Sequence, residues 1–330
     1  MKNYNIAVVG ATGMVGRTIL KVLEERNFPI NNLYLFSSAK SAGTSMEFKG
    51  KSYIVEELNN ASFDRDMDIA LFSAGGSTST KYAPIAASKG VVVIDNSSAF
   101  RMDKDVPLVV PEVNESEIMK HKGIIANPNC STIQAVVALK PLHDKYKIKR
   151  IVYSTYQAVS GSGVKGVDDL KNGLANKPNS FYPHPIANNC LPHIDVFGEN
   201  GYTKEEMKMI EETKKIFDDY NLRITATTVR VPVSNCHSES VNVEFYNDFD
   251  LEELRNTLKD SPGIILVDDP EKNLYPLASL ANGNDEVFVG RIRRDESVDC
   301  GINIWIVSDN IRKGAATNAV QIAESLIKNI

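Results

Sequence analysis

The segment ANPNCSTIQAVVALKPL sets one cysteine, Cys130, between an Asn-Pro-Asn turn and a run of apolar residues at helical spacing. A turn followed by Ser/Thr and then periodic apolar residues marks a helix start. Cys130 is therefore expected at or just before the N-terminus of an amphipathic helix. Unpaired N–H groups and the positive end of the macrodipole stabilise a thiolate there. Such a thiolate is a nucleophile. The alternative is a small apolar residue that fills a gap and reacts with nothing.

A second feature lies near the start of the chain. NIAVVGATGMVG places Gly10, Gly13 and Gly16 after a strand-like run and ahead of a helical one. Glycines at this spacing permit a tight turn and close backbone approach to a pyrophosphate resting on the helix N-terminus. Gly10, Thr12, Gly13, Met14 and Val15 are the expected dinucleotide contacts. The end of the next strand selects the cofactor. An NAD site carries an acidic residue there for the ribose hydroxyls. LYLFSSAKSAG has no carboxylate; Ser37, Ser38, Lys40 and Ser41 offer hydroxyls and one cation. That set suits a 2′-phosphate, and NADP is the expected cofactor.

A nicotinamide and a helix-start thiol together suggest one chemistry. A thiolate adds to an aldehyde, hydride leaves to the nicotinamide, and a second nucleophile cleaves the resulting thioester. The hydroxyl proton needs an acid/base, usually histidine. Of five histidines, His237 follows the strand that carries Arg230, in TATTVRVPVSNCHSESVNVEF. His184 and His193 lie in an irregular stretch, and His121 and His143 read as surface positions. The residues alone give His237 only a slight preference.

The elements that must position these groups change character at Cys130. Before it, strands at 4–9, 33–36, 68–72, 91–94 and 123–126 alternate with helices at 13–25 and 78–89. That order predicts an α/β domain with a parallel, doubly wound sheet. After it, longer strands at 148–158, 223–233, 240–246, 287–291 and 302–307 predict a mixed sheet in a second domain. Residues 161–201 are rich in Gly, Pro and Asn and read as an irregular functional or interface excursion. The C-terminal KGAATNAVQIAESLIKNI reads as an amphipathic helix.

Composition narrows the class. The chain has 330 residues, 42% hydrophobic and 24% charged, enough for two cored domains. With 37 basic and 42 acidic residues it has no basic footprint for nucleic acid. Its four cysteines are widely spaced, against a disulfide framework or a zinc site, and no metal is expected. No run reaches the length of a membrane span. The first residues carry no signal-peptide pattern, and a cytoplasmic location is expected.

Taken together, GATGMVG, DNSSAFRMD, ANPNCSTIQ, STYQAVSGSG, VRVPVSNCHSESV, VFVGRIRRD and SDNIRKGAATNAVQIAESL resemble the aspartate-semialdehyde dehydrogenases. The motifs run in order through nearly the whole chain. The resemblance implies a Rossmann-like NADP-binding domain over 1–129 plus 310–330, and an α+β catalytic and dimerisation domain over 130–309. It matches Cys130 to the acyl-forming nucleophile, His237 to the acid/base and Gln157 to the amide that orients the substrate. Arg230 matches the partner of the substrate α-carboxylate, and Glu205 the holder of its ammonium. Lys208, Arg101 and Asn129 match phosphate contacts; without the resemblance, Glu205 and Lys208 would read as a solvated helix face. Ser160, Gly161 and Asn310 match residues beside the nicotinamide, Asn310 standing where glutamine is common. Lys40 stands where many relatives have arginine. Cys236, directly before the base, is expected to be a passive neighbour.

The implied reaction is the NADPH-dependent reduction of L-aspartyl-4-phosphate to L-aspartate 4-semialdehyde with release of phosphate. It is a branch-point step towards lysine (through diaminopimelate), threonine and methionine. The implied partners are these small molecules and a second copy of the chain, most simply in a homodimer. Three rivals are an N-acetyl-glutamyl-phosphate reductase, which has no need of Glu205, a non-catalytic NADP-binding regulator, and a cysteine hydrolase, which has no need of the glycine loop. A regulator has no use for Cys130, Gln157, Arg230 and His237 together.

Overall fold

The computed structural model describes residues 2–329. They divide into two units, Met1–Asn129 with Ala315–Ile330, and Cys130–Gly314.

The first unit is a seven-stranded sheet with helices. Its strands are β1 (Tyr4–Val9), β2 (Ile30–Ser37), β3 (Ser45–Phe48), β4 (Lys51–Glu57), β5 (Ile69–Phe72), β6 (Val92–Asp95) and β7 (Ile124–Ala126). Their order is β3-β4-β2-β1-β5-β6-β7, and every pair is parallel except β3 with β4. The β3–β4 hairpin was not foreseen in the sequence. All six residues of β1 are buried, as a central parallel strand covered on both faces requires. Helices α1 (Met14–Glu25), α2 (Gly76–Ser88), the short α3 (Pro111–Asn114) and the C-terminal α9 (Thr317–Lys328) complete the unit. α1 buries Ile19, Leu20, Val22 and Leu23 along one stripe, in a core shared with Val320, Ile322 and Leu326 of α9. The order turns back at β1, between β2 and β5, so the loop after β1 opens at a topological switch point.

The second unit holds a six-stranded mixed sheet ordered β11-β12-β13-β10-β8-β9. It contains α4 (Cys130–Tyr146), β8 (Ile148–Gln157), α5 (Gly163–Leu174), α6 (Lys204–Phe217), β9 (Arg223–Arg230) and β10 (His237–Phe245). Then follow α7 (Leu251–Lys259), β11 (Ile264–Leu266), α8 (Ala278–Ala281), β12 (Val287–Asp295) and β13 (Gly301–Ser308). β10 buries every second residue, from His237 through Glu239, Val241 and Val243 to Phe245. That face carries α4 and α6; the alternate residues lie on the other, less covered face.

Several expectations need correction. α4 is not amphipathic in its first half: Ser131 to Leu139 are all buried, because sheet strands, α6 and α7 surround it. Residues 161–201 are not wholly irregular, since α5 forms within them. The Asp169 carboxylate accepts N–H bonds from Ser180, Phe181 and Tyr182 and ties the rest of the segment to that helix. Residues 310–314 belong to the second unit, where Asn310 bonds Ser160 and the Cys236 N–H. The C-terminal helix starts late, at Thr317, after a π turn over Arg312–Ala316. His143 is buried against Phe217, with ring centroids 5.0 Å apart.

Candidate active site

In the first unit the glycine loop is built by sterics. Gly10 has φ +85°, and a Cβ there would lie 2.4 Å from the Ser73 carbonyl oxygen. A Cβ on Gly16 would lie 2.2 Å from the Gly10 carbonyl oxygen. Gly13 is the N-cap of α1 and supplies no side-chain cap, and the first turn carries no acidic residue. Its N–H groups and dipole thus suit an anion. Thr12 Oγ1 and Ser37 Oγ share a hydrogen bond of 2.9 Å, which joins the loop to the end of β2. Met14 and Val15 open α1 half-buried, while Ser38 and Lys40 are exposed and Ser41 is half-buried. A dinucleotide fits this cradle.

Also in this unit, Arg101 is buried and donates Nε to the Asn127 carbonyl and Nη2 to that of Asn96. Asn129 is buried as the residue just before Cys130.

In the second unit, three strand ends meet. β8 ends at Gln157, β9 ends at Arg230, and β10 begins at His237. Gln157 and Arg230 are register partners. β9 stops at Arg230, short of the expected 233, and β10 begins at His237, ahead of the expected 240, so both residues lie at strand ends. Cys130 is the first residue of α4 and half-buried. One turn on, Gln134 Nε2 donates to the His237 carbonyl at 3.4 Å, which seats the start of α4 against β10.

The polar groups form two connected sets. In the first, Gln157 Nε2 donates to Glu205 Oε1 at 3.1 Å, and Lys208 Nζ bridges Glu205 and Asp195 at 3.0 and 2.9 Å. Burial would lower the Lys208 pKa, but the two carboxylates more than offset it and hold it raised. Lys208 and Glu205 share one face of α6, one turn apart. In the second set, the Ala158 peptide holds two side chains. Its N–H donates to His237 Nδ1 at 3.0 Å, and its carbonyl accepts from Arg230 Nη1 at 2.6 Å. A Cβ on Gly161 would lie 3.1 Å from Arg230 Nη1 and 3.3 Å from His237 Nε2. The missing methyl is the gap between these two groups. Arg230 Nε and His237 Nε2 are buried and have no hydrogen-bond partner among the described residues. Ser160 and Asn310 bond to each other beside this gap, and Ser160 also reaches Asn235.

The geometry adds residues that sequence reasoning missed. Ala158 acts through its backbone and leaves no signal in a sequence. Asp195 anchors Lys208, and only the fold brings it there. Gly314 lies against Cys130: a Cβ there would sit 2.8 Å from Cys130 Cβ and 3.3 Å from its Cα. Gly314→Ala must move the Cys130 backbone. We expect a kcat loss of about tenfold or more, since small misplacements of reacting groups are costly. A variant with wild-type kcat would show that the contact does not position the thiol.

Cys236 is buried, and burial pushes its thiol up to about 12 with Asp309 adding to the effect, so it is chemically passive. Two residues beyond His237, Glu239 is fully buried and neither carboxyl oxygen has a hydrogen-bond partner among the described residues. Burial drives its pKa well above the ordinary 4.5, against a smaller opposing pull from the Gln134 amide. Its folded pKa exceeds its unfolded one, so this group's stability contribution is present below 4.5 and lost as pH rises towards the folded value. Glu239→Gln removes the loss, which is at most about 1.4 kcal/mol per pH unit. Urea unfolding should find the variant more stable than wild type near pH 8, with the gap closing towards pH 5. A gap independent of pH would mean that Glu239 folds ionised.

Among the described residues no group of three or more His, Cys, Asp or Glu could hold a metal, and no helix is long and apolar enough to cross a membrane. Family profiles match both halves. "Semialdehyde dehydrogenase, NAD binding domain" covers residues 5–121, and "Semialdehyde dehydrogenase, dimerisation domain" covers 139–313. An aspartate-semialdehyde dehydrogenase of Aquifex aeolicus is 59% identical over 98% of both chains. The chain belongs to the aspartate-semialdehyde dehydrogenase family. It is thus an oxidoreductase-type enzyme with a dinucleotide-binding domain and a dimerisation domain. Among solved members, aspartate semialdehyde dehydrogenase II of Vibrio cholerae, complexed with ASA, shares 48% identity at a TM-score of 0.94, covering 99% of each chain. The Candida albicans enzyme with NADP shares 25% at 0.77, covering 98% of each.

Proposed function

We propose that this enzyme reduces L-aspartyl-4-phosphate to L-aspartate 4-semialdehyde with NADPH, through a thioester on Cys130, and runs the reverse reaction. One observation carries the substrate: Arg230, with an unpartnered buried Nε, and Glu205 flank the same strand ends. A guanidinium suits an α-carboxylate and a carboxylate suits a free α-ammonium, so the pair reads an unacylated amino acid. An N-acylated substrate gives Glu205 nothing to bind.

In this reading Cys130 Sγ attacks the acyl phosphate and phosphate leaves. Gln157, fixed by Glu205, orients the substrate by its amide. His237 faces the reacting oxygen. Lys208, Arg101 and Asn129 hold the phosphate. NADPH supplies the hydride that converts the thioester to the aldehyde level. Gly10, Thr12, Gly13, Met14 and Val15 hold the pyrophosphate side, and Ser160, Gly161 and Asn310 the nicotinamide side. The enzyme acts in the cytoplasm, at the branch towards lysine, threonine and methionine. The less covered sheet face, with Ser238, Ser240 and Trp305, pairs two copies in a homodimer, consistent with the dimerisation profile.

The deciding experiment follows NADP reduction with L-aspartate 4-semialdehyde and phosphate. Turnover with this substrate is expected. Faster turnover of N-acetyl-glutamate semialdehyde would overturn the assignment. The cofactor preference rests on the carboxylate-free end of β2. Lys40→Ala is expected to weaken NADP binding about tenfold and leave NAD binding nearly unchanged, since only NADP carries a 2′-phosphate. Equal losses in a titration of both cofactors would remove Lys40 from that role.

A further inference from the structure

One row of the second sheet, just below the strand ends, is polar where a core is expected. Register sets Glu239 of β10 beside Thr155 of β8, and Thr155 beside Thr228 of β9. All three are fully buried on the face that α4 covers, and so is Gln134 of α4. Four polar atoms among them lack a hydrogen-bond partner among the described residues: Glu239 Oε1 and Oε2, Gln134 Oε1 and Thr228 Oγ1. Thr155 is the exception. Its Oγ1 donates to Gln157 Oε1 at 3.0 Å, and Gln157 Nε2 donates to Glu205 at 3.1 Å. With those atoms held, one N–H of Gln157 is left to meet a substrate.

We propose that these side chains enclose one internal water, and that Glu239 is a positioning residue for Gln157, acting as an O–H donor through that water and Thr155. This deepens the proposed reaction and rests on Gln157 orienting the substrate in it. Register partners lie about 5 Å apart at Cβ, and a short hydroxyl facing a carboxyl leaves a gap that a water bridges. A buried water makes about three bonds, typically to groups otherwise unsatisfied. Here it accepts from the O–H groups of Glu239 and Thr228. It donates to Thr155 Oγ1 and Gln134 Oε1. The remaining Glu239 oxygen is left to the Gln134 N–H, which already pulls on the carboxyl.

The direction of this chain depends on the acid proton. A hydroxyl has one proton to give. While Glu239 keeps its own, the Thr155 proton stays on Gln157 Oε1. A carboxylate only accepts, so an ionised Glu239 would draw that proton back through the water. Gln157 Oε1 would lose its donor, and the amide would be free to turn its oxygen towards the substrate. The surroundings favour the acid. β8 presents Tyr153 and Thr155, β9 Thr228, β13 Ile306 and α4 Gln134, all uncharged at neutral pH. α6 brings two carboxylates, Glu205 and Glu206, the second accepting from the Thr228 N–H at 3.1 Å. Arg230 and His237 lie one row away, and Arg230 is engaged by the Ala158 carbonyl. Burial, with Glu205 adding to it, therefore keeps the proton on Glu239.

The test uses the full-length enzyme loaded with NADP. Infrared difference spectra near neutral pH, wild type minus Glu239→Gln, isolate the C=O stretch of a protonated acid. We expect that band, and a shift in it when Thr155→Val breaks the chain. No acid band, or a band indifferent to Thr155→Val, would overturn the proposal. A crystal structure of the same complex should show one water between Glu239 and Thr155; a gap without one would overturn it too. In the kinetic arm, Thr155→Val is expected to lower kcat/KM for L-aspartate 4-semialdehyde about tenfold, with KM for NADP unchanged. Thr155→Ser keeps the hydroxyl and should restore most of the loss. Glu239→Gln keeps a neutral donor and should resemble Thr155→Ser. Glu239→Leu should resemble Thr155→Val, and the two together should lose no more than either alone. If Glu239→Leu does not fold, the two Thr155 variants carry the comparison. Wild-type kinetics in Thr155→Val, or losses that add, would remove the positioning role. Wild-type semialdehyde kinetics in Gln157→Ala would instead sink the reading of Gln157 and leave the link from Glu239 to Thr155 standing.

Discussion

Cys130→Ser is expected to abolish turnover, by about 10⁴-fold or more, with the fold and NADP affinity unchanged. The two side chains differ little in size, and the half-buried position against Gly314 accepts either. Chemistry separates them. A serine hydroxyl is almost wholly protonated at neutral pH and is a weak nucleophile in that state. A thiol loses its proton to solvent readily and is far more nucleophilic. The measurement pairs steady-state kinetics with NADP titration and a melting curve. Loss of activity together with loss of cofactor binding would point to a damaged fold. Activity close to wild type would falsify the thioester route.

The second large effect is Arg230→Lys. The charge is kept, but the geometry is not. Arg230 uses Nη1 for the Ala158 carbonyl and keeps Nε unpartnered. A guanidinium can hold both the strand and a substrate carboxylate, with its plane fixed. An ammonium at the end of a flexible stem cannot span both. The substrate's reacting carbon would then sit at the wrong distance and tilt from Cys130, which costs on the order of 10² in rate. We expect kcat to fall and KM for the semialdehyde to rise, with KM for phosphate much less affected. A phosphate KM that rises equally would move the α-carboxylate to another residue, with Arg101 the next to test.

The fold was legible where residue type repeats with a period. The buried run of β1, the glycine loop and the start of α4 at Cys130 all declare themselves locally. The all-round burial of α4 did not, because it depends on what packs there rather than on the helix itself. The β3–β4 hairpin lies in a mostly polar stretch, and the alternation of Ser45–Phe48 runs for only four residues. α5 was hidden by its three glycines, which lower helix propensity. In the site, the residues themselves marked the thiol at a helix start and gave the imidazole only a slight preference; Arg230 and the Glu205–Lys208 pair were carried by the family resemblance. Ala158 was not readable, because a backbone amide has no residue type. Gly314 reads as an ordinary helix-start glycine until the structure sets it against Cys130. Glu239 reads as one polar residue in an alternating strand, yet its alternation places it inward beside His237.

The Ala158 peptide also orders events in time. Its two clients lie 79 and 72 residues further along the chain, His237 and Arg230 respectively. Neither bond can exist until β9 and β10 have docked on β8, a pairing that has to close long loops first. During synthesis, a ribosome-bound chain that has exposed Cys130 but not yet His237 carries the thiol without these arranged side chains. Competence for catalysis thus arrives late, in one step, with completion of the second sheet. The Arg230 bond is the one that a partial unfolding of the edge strand β9 would release first, so activity would be lost before the bulk of the second core melts.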